Sequence, residues 1–499
     1  MDELVKNLKI PIKIKNCKDL KGFGLYSTKC FEEGEQIFVV KPLVAVLDEK
    51  DLKNACSNCF SCKEDKNDES FYLFPCKDCK ILYYCCQECQ ENDWKTFHQY
   101  ECAFLLSKFP KIIPGSIRMC MRLIFYGRLY PSSPEWSAIM ELESHRSEIM
   151  SSEKKDIVLM LSKGIQNFTN EVNETLVLDL FCKIMINSFS LMTFSYDTIG
   201  TAIDPIISRI NHSCYPNAVL VFDNNIITLR SLRKISSDQQ ITISYIDMNN
   251  TQKNRHDELI SRYYFSCKCI RCTNPDKLEN YFILKKEIPL DEFSRIETVI
   301  NYALTKKNVY IFQALSILHR LKGWNSTIYP LNELHKSALT YFLDKKKFRS
   351  ALCHGLFIHL IGRKVYKEYT SSFDPVYVVQ MYLLVRLMIY QASENIQKQF
   401  KQVGAEDLMK YAYKLLYELV KLSYKSHGLS SKFSKKLQKT FKETGEDISF
   451  YNWGKHWQSV LKNNPEDLQI NDDYIKIENK LLLEVKMYIE HLYDKNYEV

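Results

Sequence analysis

Residues 209–217 read RINHSCYPN, a short loop in which Asn211, His212 and Cys214 set an amide, an imidazole and a thiol just ahead of the turn former Pro216. The stretch is too polar for a core and too apolar at its edges for a linker, so it reads as a site. Downstream, the run ITISYID alternates like a strand ending in Tyr245. Further on, Cys267-x-Cys269-x2-Cys272 offers three thiols that need a fourth, and Cys214 is available to supply it.

The chain has 499 residues, too many for one core, so roughly two to four domains are expected. Hydrophobic content of 45% and charged content of 26% are ordinary for a soluble globular protein. A formal net charge of +8 is scattered over the chain, so nucleic acid is not expected as a primary partner. The short run Lys345, Lys346, Lys347 suits a solvated helix face as well as a phosphate patch. Residues 1–8 mix charge with apolar side chains, without the apolar stretch of a signal peptide. Most of the 18 cysteines fall in CxxC-like spacings within two windows. In a reducing cytosol or nucleus such spacings mean metal thiolates rather than disulfides. The most apolar stretch, 376–390, is broken by Gln380 and Arg386 and reads as a buried helix, so no membrane span is expected.

Along residues 10–47, short apolar bursts (Ile10, Ile12 and Ile14, then QIFVV, then VAVL) are separated by KGFG and EEGE turns, the period-two signature of strands. Alone, Gly22 and Gly24 would be hairpin glycines. Between Cys56 and Cys102 lie Cys56-x2-Cys59, Cys76-x2-Cys79, Cys85-x3-Cys89 and His98-x3-Cys102, two four-ligand sets suited to tetrahedral zinc. Both sets are complete, so the zinc is structural, and in so short and polar a segment metal supplies most of the folding free energy. Residues 104–185 are helical in pattern. ALVFDNNIITL reads as a hairpin turning at Asn224 and Asn225, with VLVF and IITL as its arms. Beyond Cys272 the texture is amphipathic and helical, and ALTYFLDKKKFRSAL looks like a helix, a basic turn and the start of another helix.

Taken together, NHSC-x-PN, ISY and Y-x-F-x-C-x-C-x2-C resemble the SET domain of protein lysine methyltransferases. The cysteine module ahead of them narrows the resemblance to the SET- and MYND-domain family. It implies an α+β fold: a split SET β fold with halves at 1–50 and 186–250, a MYND finger at 51–103, a helical insert at 104–185, a post-SET zinc segment at 251–277, and an all-α domain at 278–499 similar to tetratricopeptide repeats. It also implies transfer of a methyl group from S-adenosylmethionine to a lysine of a histone or other protein, by a monomer in the cytoplasm, the nucleus or both. Tyr245 and Tyr263 would be catalytic. Lys21, Gly22, Phe23, Gly24, Asn187, Asn211, His212, Tyr263 and Phe265 would meet the cofactor, with Tyr263 and Phe265 also lining the lysine channel.

By the same resemblance the ligands interleave. Cys56, Cys59, Cys85 and Cys89 hold one ion, Cys76, Cys79, His98 and Cys102 a second, and Cys214, Cys267, Cys269 and Cys272 a third, leaving Cys62 and Cys86 as bystanders. Phe23, where many relatives carry a polar or basic residue, and Gln239-Gln240, where they often carry Glu-Glu, depart from the family pattern. The residues alone allow plainer readings: Asn187 as a helix cap, and Tyr245, Tyr263 and Phe265 as core aromatics. A second functional reading is a non-catalytic adaptor, with the finger gripping a proline-rich peptide, the helical C-terminal domain gripping a second partner, and the SET fold kept as a frame.

Overall fold

The computed structural model describes residues 2–17, 22–62, 71–274, 295–296, 298–300, 302–303, 309–320, 330–362, 371–393, 400–450 and 468–494. The chain divides into two compact units, one of Met1–Ile246 with His256–Cys267 and the other of Asp247–Arg255 with Lys268–Val499.

In the first unit, β1 (Ile12–Asn16) and β2 (Phe23–Ser27) form an antiparallel hairpin. Phe23 and Gly24 therefore lie in a strand. β3 (Gln36–Val40) and β4 (Val44–Leu47) follow, then two short strands of the cysteine module, β5 (Phe74–Pro75) and β6 (Tyr83–Tyr84). After a helical stretch come β7 (Phe189–Met192), β8 (Thr198–Ile203), β9 (Asn211–His212), β10 (Ala218–Asp223), β11 (Ile226–Ser231) and β12 (Thr242–Ile243).

The pairings cross the helical stretch. β3 joins the β10–β11 hairpin, with Phe38 opposite Leu229, and β4 joins β8, with Val46 opposite Thr201. Gly200 makes the second pairing possible, because a Cβ there would lie 2.1 Å from the Val46 carbonyl oxygen. Leu25, Phe31, Leu229, Ile235 and Ile241 are fully buried in the resulting core. One expectation needs correcting: ITISYID does not run as a strand to Tyr245, since β12 ends at Ile243. The Tyr245 N–H is taken at 3.0 Å by the His212 ring instead of a strand partner.

Between these halves, helices Gly115–Leu129, Lys155–Thr169 and Glu174–Asn187 pack on one another through Met119, Met121, Leu123, Val177 and Leu180, all fully buried. Asn173 caps the last of them, its Oδ1 accepting the Leu176 N–H at 3.0 Å. Asn170, with φ 49°, ends the one before in the left-handed region.

A fully buried ion cluster joins the cysteine module to the helices. Arg118 donates to both Glu101 oxygens at 3.2 and 2.9 Å, Arg122 donates to Glu101 at 3.1 Å and pairs with Asp93 at 3.2 Å, and Tyr84 donates to Asp93 at 2.8 Å. Burial alone would push the Glu101 carboxyl up, but the two guanidinium charges hold it well below the ordinary range. Glu101→Leu should destabilise the first unit by roughly 3–5 kcal/mol, because it takes from buried Arg118 its carboxylate and leaves Arg122 with Asp93 alone. An unfolding midpoint within error of the parent would contradict this.

The described part of the second unit is helical. Leu331–Asp344 packs on Phe348–Phe357 across a turn at Lys345, Lys346 and Lys347, with Lys346 at φ 55°. Pro375–Ser393 packs on Ala405–Ser426, which packs in turn on Lys432–Phe450. Leu408, Tyr411, Leu415 and Leu419 form the buried seam of Ala405–Ser426 at helical spacing. Pro375–Ser393 is the one helix among the described residues long and apolar enough to cross a membrane. Its Val378, Met381, Val385 and Met388 are buried within this unit, as in a core helix.

Three histidines run through this unit's interior: His319 Nε2 lies 3.1 Å from His335 Nε2, and His335 Nδ1 lies 2.7 Å from His354 Nδ1. Phe357 stacks on His335 at 3.7 Å. Burial drives all three below the ordinary imidazole value of 6.5, His319 to about 4 and His354 to about 3, with the other rings of the chain adding to the shift at His335 and His354. The unfolded chain therefore takes up protons that the folded unit refuses. Stability should fall as pH drops from about 6.5 toward 4, by roughly 1.4 kcal/mol per pH unit for each histidine. Urea midpoints of the helical signal near pH 7 and near pH 5 measure this, and equal midpoints would refute it.

Candidate functional site

The loop that carries the polar residues is built from both sides. Asp204 Oδ1 accepts the N–H groups of Ile206 and Ile207 at 2.9 and 3.0 Å and caps the short 3-10 turn Ile207–Arg209. Burial raises that carboxyl to about 6 against the pull of the two N–H donors. The turn delivers β9, which pairs in parallel with β12, Asn211 opposite Thr242 and His212 opposite Ile243. Asn217 locks the approach to β12, its Nδ2 donating to the Gln240 carbonyl at 2.8 Å and its Oδ1 accepting the Thr242 N–H at 2.8 Å.

Asn211 reaches across to β2, where Nδ2 donates to the Phe23 carbonyl at 3.2 Å. Gly22, at φ +124°, holds a conformation that suits glycine, and its carbonyl accepts the Cys17 N–H at 2.9 Å. Phe23 is 54% exposed, with the Arg209 guanidinium 5.8 Å from its ring centre. Gly22, Phe23, Gly24 and Asn211 thus share one place, while Lys21 lies outside the described residues. Asn187 closes its helix, Nδ2 donating at 2.8 Å to the carbonyls of Lys183 and Glu143, and its own carbonyl accepts the Ser208 hydroxyl at 2.9 Å. Its amide hydrogens are engaged within the protein as a cap.

His212 carries the other half of the site. Because its Nδ1 accepts the Tyr245 N–H, a neutral ring carries its proton on Nε2, 3.2 Å from Cys214 Sγ. The His212 ring centre lies 5.3 Å from that of Tyr245 and 6.0 Å from that of Phe265. Tyr245 stands 5.0 Å from Tyr263 and meets Phe265 edge-on at 6.4 Å. Its hydroxyl donates to the Ile210 carbonyl at 2.6 Å, so the oxygen lone pairs remain for another donor. Burial, aided by Tyr263, pushes the Tyr245 phenol above its ordinary value, and burial does the same to Tyr263. Both stay protonated at neutral pH. Cys17 and the Ile210 carbonyl were invisible in the sequence: the first belongs to no spacing, and the second is backbone.

In the cysteine module, the ligand atoms of Cys56, Cys59, Cys85 and Cys89 lie within 4.8 Å of one another, as do those of Cys76, Cys79, His98 and Cys102. A third set, Cys214, Cys267, Cys269 and Cys272, meets the same limit. These all-sulfur and three-sulfur, one-nitrogen donor sets fit tetrahedral zinc. A hydrogen bond from Cys56 draws the Cys59 thiol below its ordinary range, and one from Cys79 does the same to Cys76, both against burial. Each set of the module thus holds one thiol poised as the thiolate a metal requires. His98 turns Nε2 toward Cys76 and Cys79 at 3.3 and 3.5 Å, and Nδ1 toward Glu101 at 3.6 Å, so a carboxylate backs the ligand ring. Cys62 is buried outside these sets and Cys86 is exposed.

Comparison with known proteins bears on this arrangement. The family model of the SET domain matches residues 22–246. SET domain and MYND-type zinc finger protein 6 of Schizosaccharomyces pombe is 31% identical over 370 residues, which cover 73% of this chain and 69% of that protein. The chain belongs to the SET- and MYND-domain family. Other relatives align at lower identity. Histone-lysine N-methyltransferase ASHR1 of Arabidopsis thaliana is 26% identical over 87% of this chain and 96% of its own length, and human N-lysine methyltransferase SMYD2 is 28% identical over 58% and 66%.

The metal sets give a direct test. Metal analysis of purified protein should find three zinc ions per chain, one for each set. Cys59→Ser should lose one of them, whereas Cys62→Ser and Cys86→Ser keep all three. Loss of zinc from either of the latter would redraw the ligand sets.

Proposed function

We propose that this chain is an S-adenosylmethionine-dependent protein-lysine N-methyltransferase. The observation that carries the reading is the meeting of Asn211 with the Gly22–Gly24 backbone on one side and of its neighbour His212 with Tyr245 and Phe265 on the other, Tyr245 in turn meeting Tyr263. A glycine-lined backbone next to an amide suits a polar nucleotide cofactor, and an aromatic group beside it suits the aliphatic stem of lysine. The family's named lysine methyltransferases support the same activity.

The bound cofactor supplies an electrophilic sulfonium methyl. The protein's own residues do the rest. A free lysine with a pKa near 10.4 is neutral only about one part in a thousand near pH 7.4, a penalty of roughly 4 kcal/mol. Tyr245, Tyr263 and Phe265 strip water from the ammonium and so favour the neutral amine. The Tyr245 oxygen, having spent its proton on Ile210, accepts an N–H of that amine and aims the nitrogen lone pair. Held protonated by burial, the phenol orients the amine and does not remove its proton.

Residues 51–103 are a MYND finger able to take proline-rich peptides, 104–185 the SET insert, 251–277 the post-SET segment and 278–499 a tetratricopeptide-like domain. Gly22, Phe23, Gly24, Asn211, His212, Tyr263 and Phe265 meet the cofactor, joined by Lys21 and Asn187 from the family pattern. The abundance of reduced thiols supports the cytoplasm or nucleus.

Tyr245→Phe should cut turnover about tenfold or more while leaving cofactor affinity by calorimetry nearly unchanged. Its rate should still rise with pH through the alkaline range, since the titrating group is the substrate amine. A flat profile would make the phenol a proton acceptor, and undiminished turnover would take Tyr245 out of the mechanism.

A further inference from the structure

The Asn211 carboxamide has two N–H bonds, and both are used inside the protein. One faces the Phe23 carbonyl at 3.2 Å and the other the Cys17 sulfur at 3.3 Å. A carbonyl can only accept, so the amide cannot be turned over, and Oδ1 points the other way. The same sulfur receives Gln240 Nε2 at 3.3 Å and the Tyr26 hydroxyl at 3.8 Å. Three donors converge on one thiol that is 7% exposed.

The backbone explains how they meet. Cys17 follows β1, which pairs with one edge of β2, while 239–241 lies along the other edge: the Ile241 N–H donates to the Leu25 carbonyl at 2.8 Å and the Ser27 N–H to the Gln239 carbonyl at 3.0 Å. Asn211 enters from β9. The space they share is the one a side chain at position 24 would need: a Cβ there would lie 2.4 Å from Gln240 Nε2, 2.7 Å from Asn211 Nδ2 and 2.8 Å from Cys17 Sγ. Gly24 is required by this cluster.

We infer that Cys17 and Gln240 are positioning residues for Asn211, clamping its amide so that Oδ1 alone is presented to a hydrogen-bond donor on the cofactor. This rests on the methyltransferase reading. The terminal torsion of an asparagine is broad and nearly two-fold, so packing alone sets it poorly. A large, polarisable sulfur accepts several long hydrogen bonds at once and keeps the amide from rotating. Gln240 then has a purpose that a glutamate could not serve. A carboxylate has no N–H to give the sulfur, whereas the carboxamide does.

The test is a double-mutant cycle read by calorimetric titration of the full chain with S-adenosylmethionine. Cys17→Val, close in volume but without an acceptor, should weaken binding about fivefold, and Cys17→Ser, which keeps an acceptor, by less. Asn211→Ala should weaken it further, and adding Cys17→Val to Asn211→Ala should change it by less than roughly twofold. If Cys17→Val does not fold, Gln240→Met takes its place in the cycle. Unchanged affinity in the single variant, or the same loss in both backgrounds, overturns the clamp while the enzyme reading stands. Absence of binding by the parent protein overturns both.

Discussion

Two residues of parallel strand, β9 on β12, hold the site together. That pairing sets Asn211 and His212 beside the segment leading to Tyr245, and Asn217 fixes its register by bonding backbone groups of that segment. A pairing so short has little strength of its own. It persists because Ile210, Ile241 and Ile243 are buried around it and because the His212 ring takes over as partner for the next backbone N–H. His212 therefore works as a structural joint, with one nitrogen on the backbone N–H of Tyr245, just beyond β12, and the other beside the Cys214 thiol.

A comparable economy governs the cysteine module. It buries Phe60, Ile81, Leu82 and Phe97, yet its junction with the neighbouring helices also carries Glu101, Asp93, Arg118 and Arg122, all withdrawn from water. Such a cluster is specific more than it is strong: each charge is tolerated only while its partners are in place. The same Glu101 stands behind His98, so the metal set and the helix junction share a residue.

Features governed by local chemistry were legible in the sequence. Chelation demands fixed donor spacings, and the thiols between Cys56 and Cys102 fall into two compact sets that omit Cys62 and Cys86. Alternation revealed the β10–β11 hairpin, and helical spacing revealed the seam of Ala405–Ser426. Contacts made by backbone or by lone residues were not legible. The end of β12 at Ile243 follows from an imidazole 33 positions earlier competing for an N–H, which no periodicity records. Cys17 matches no ligand spacing, and its role appears only when Asn211 and Gln240 arrive from more than 190 positions away. Gln240, readable as a tolerated turn change, has its side chain committed to that thiol.

The split of the sheet has a consequence for biosynthesis. About 150 residues separate the end of β4 at Leu47 from the start of its partner β8 at Thr198. At ribosomal rates of about 5–20 residues per second, β4 waits roughly 8–30 s with its edge unpaired. The cysteine module and the helices that follow emerge during that wait. Zinc supply at the ribosome thus bears on how much nascent chain reaches β8 without aggregating through the open strand.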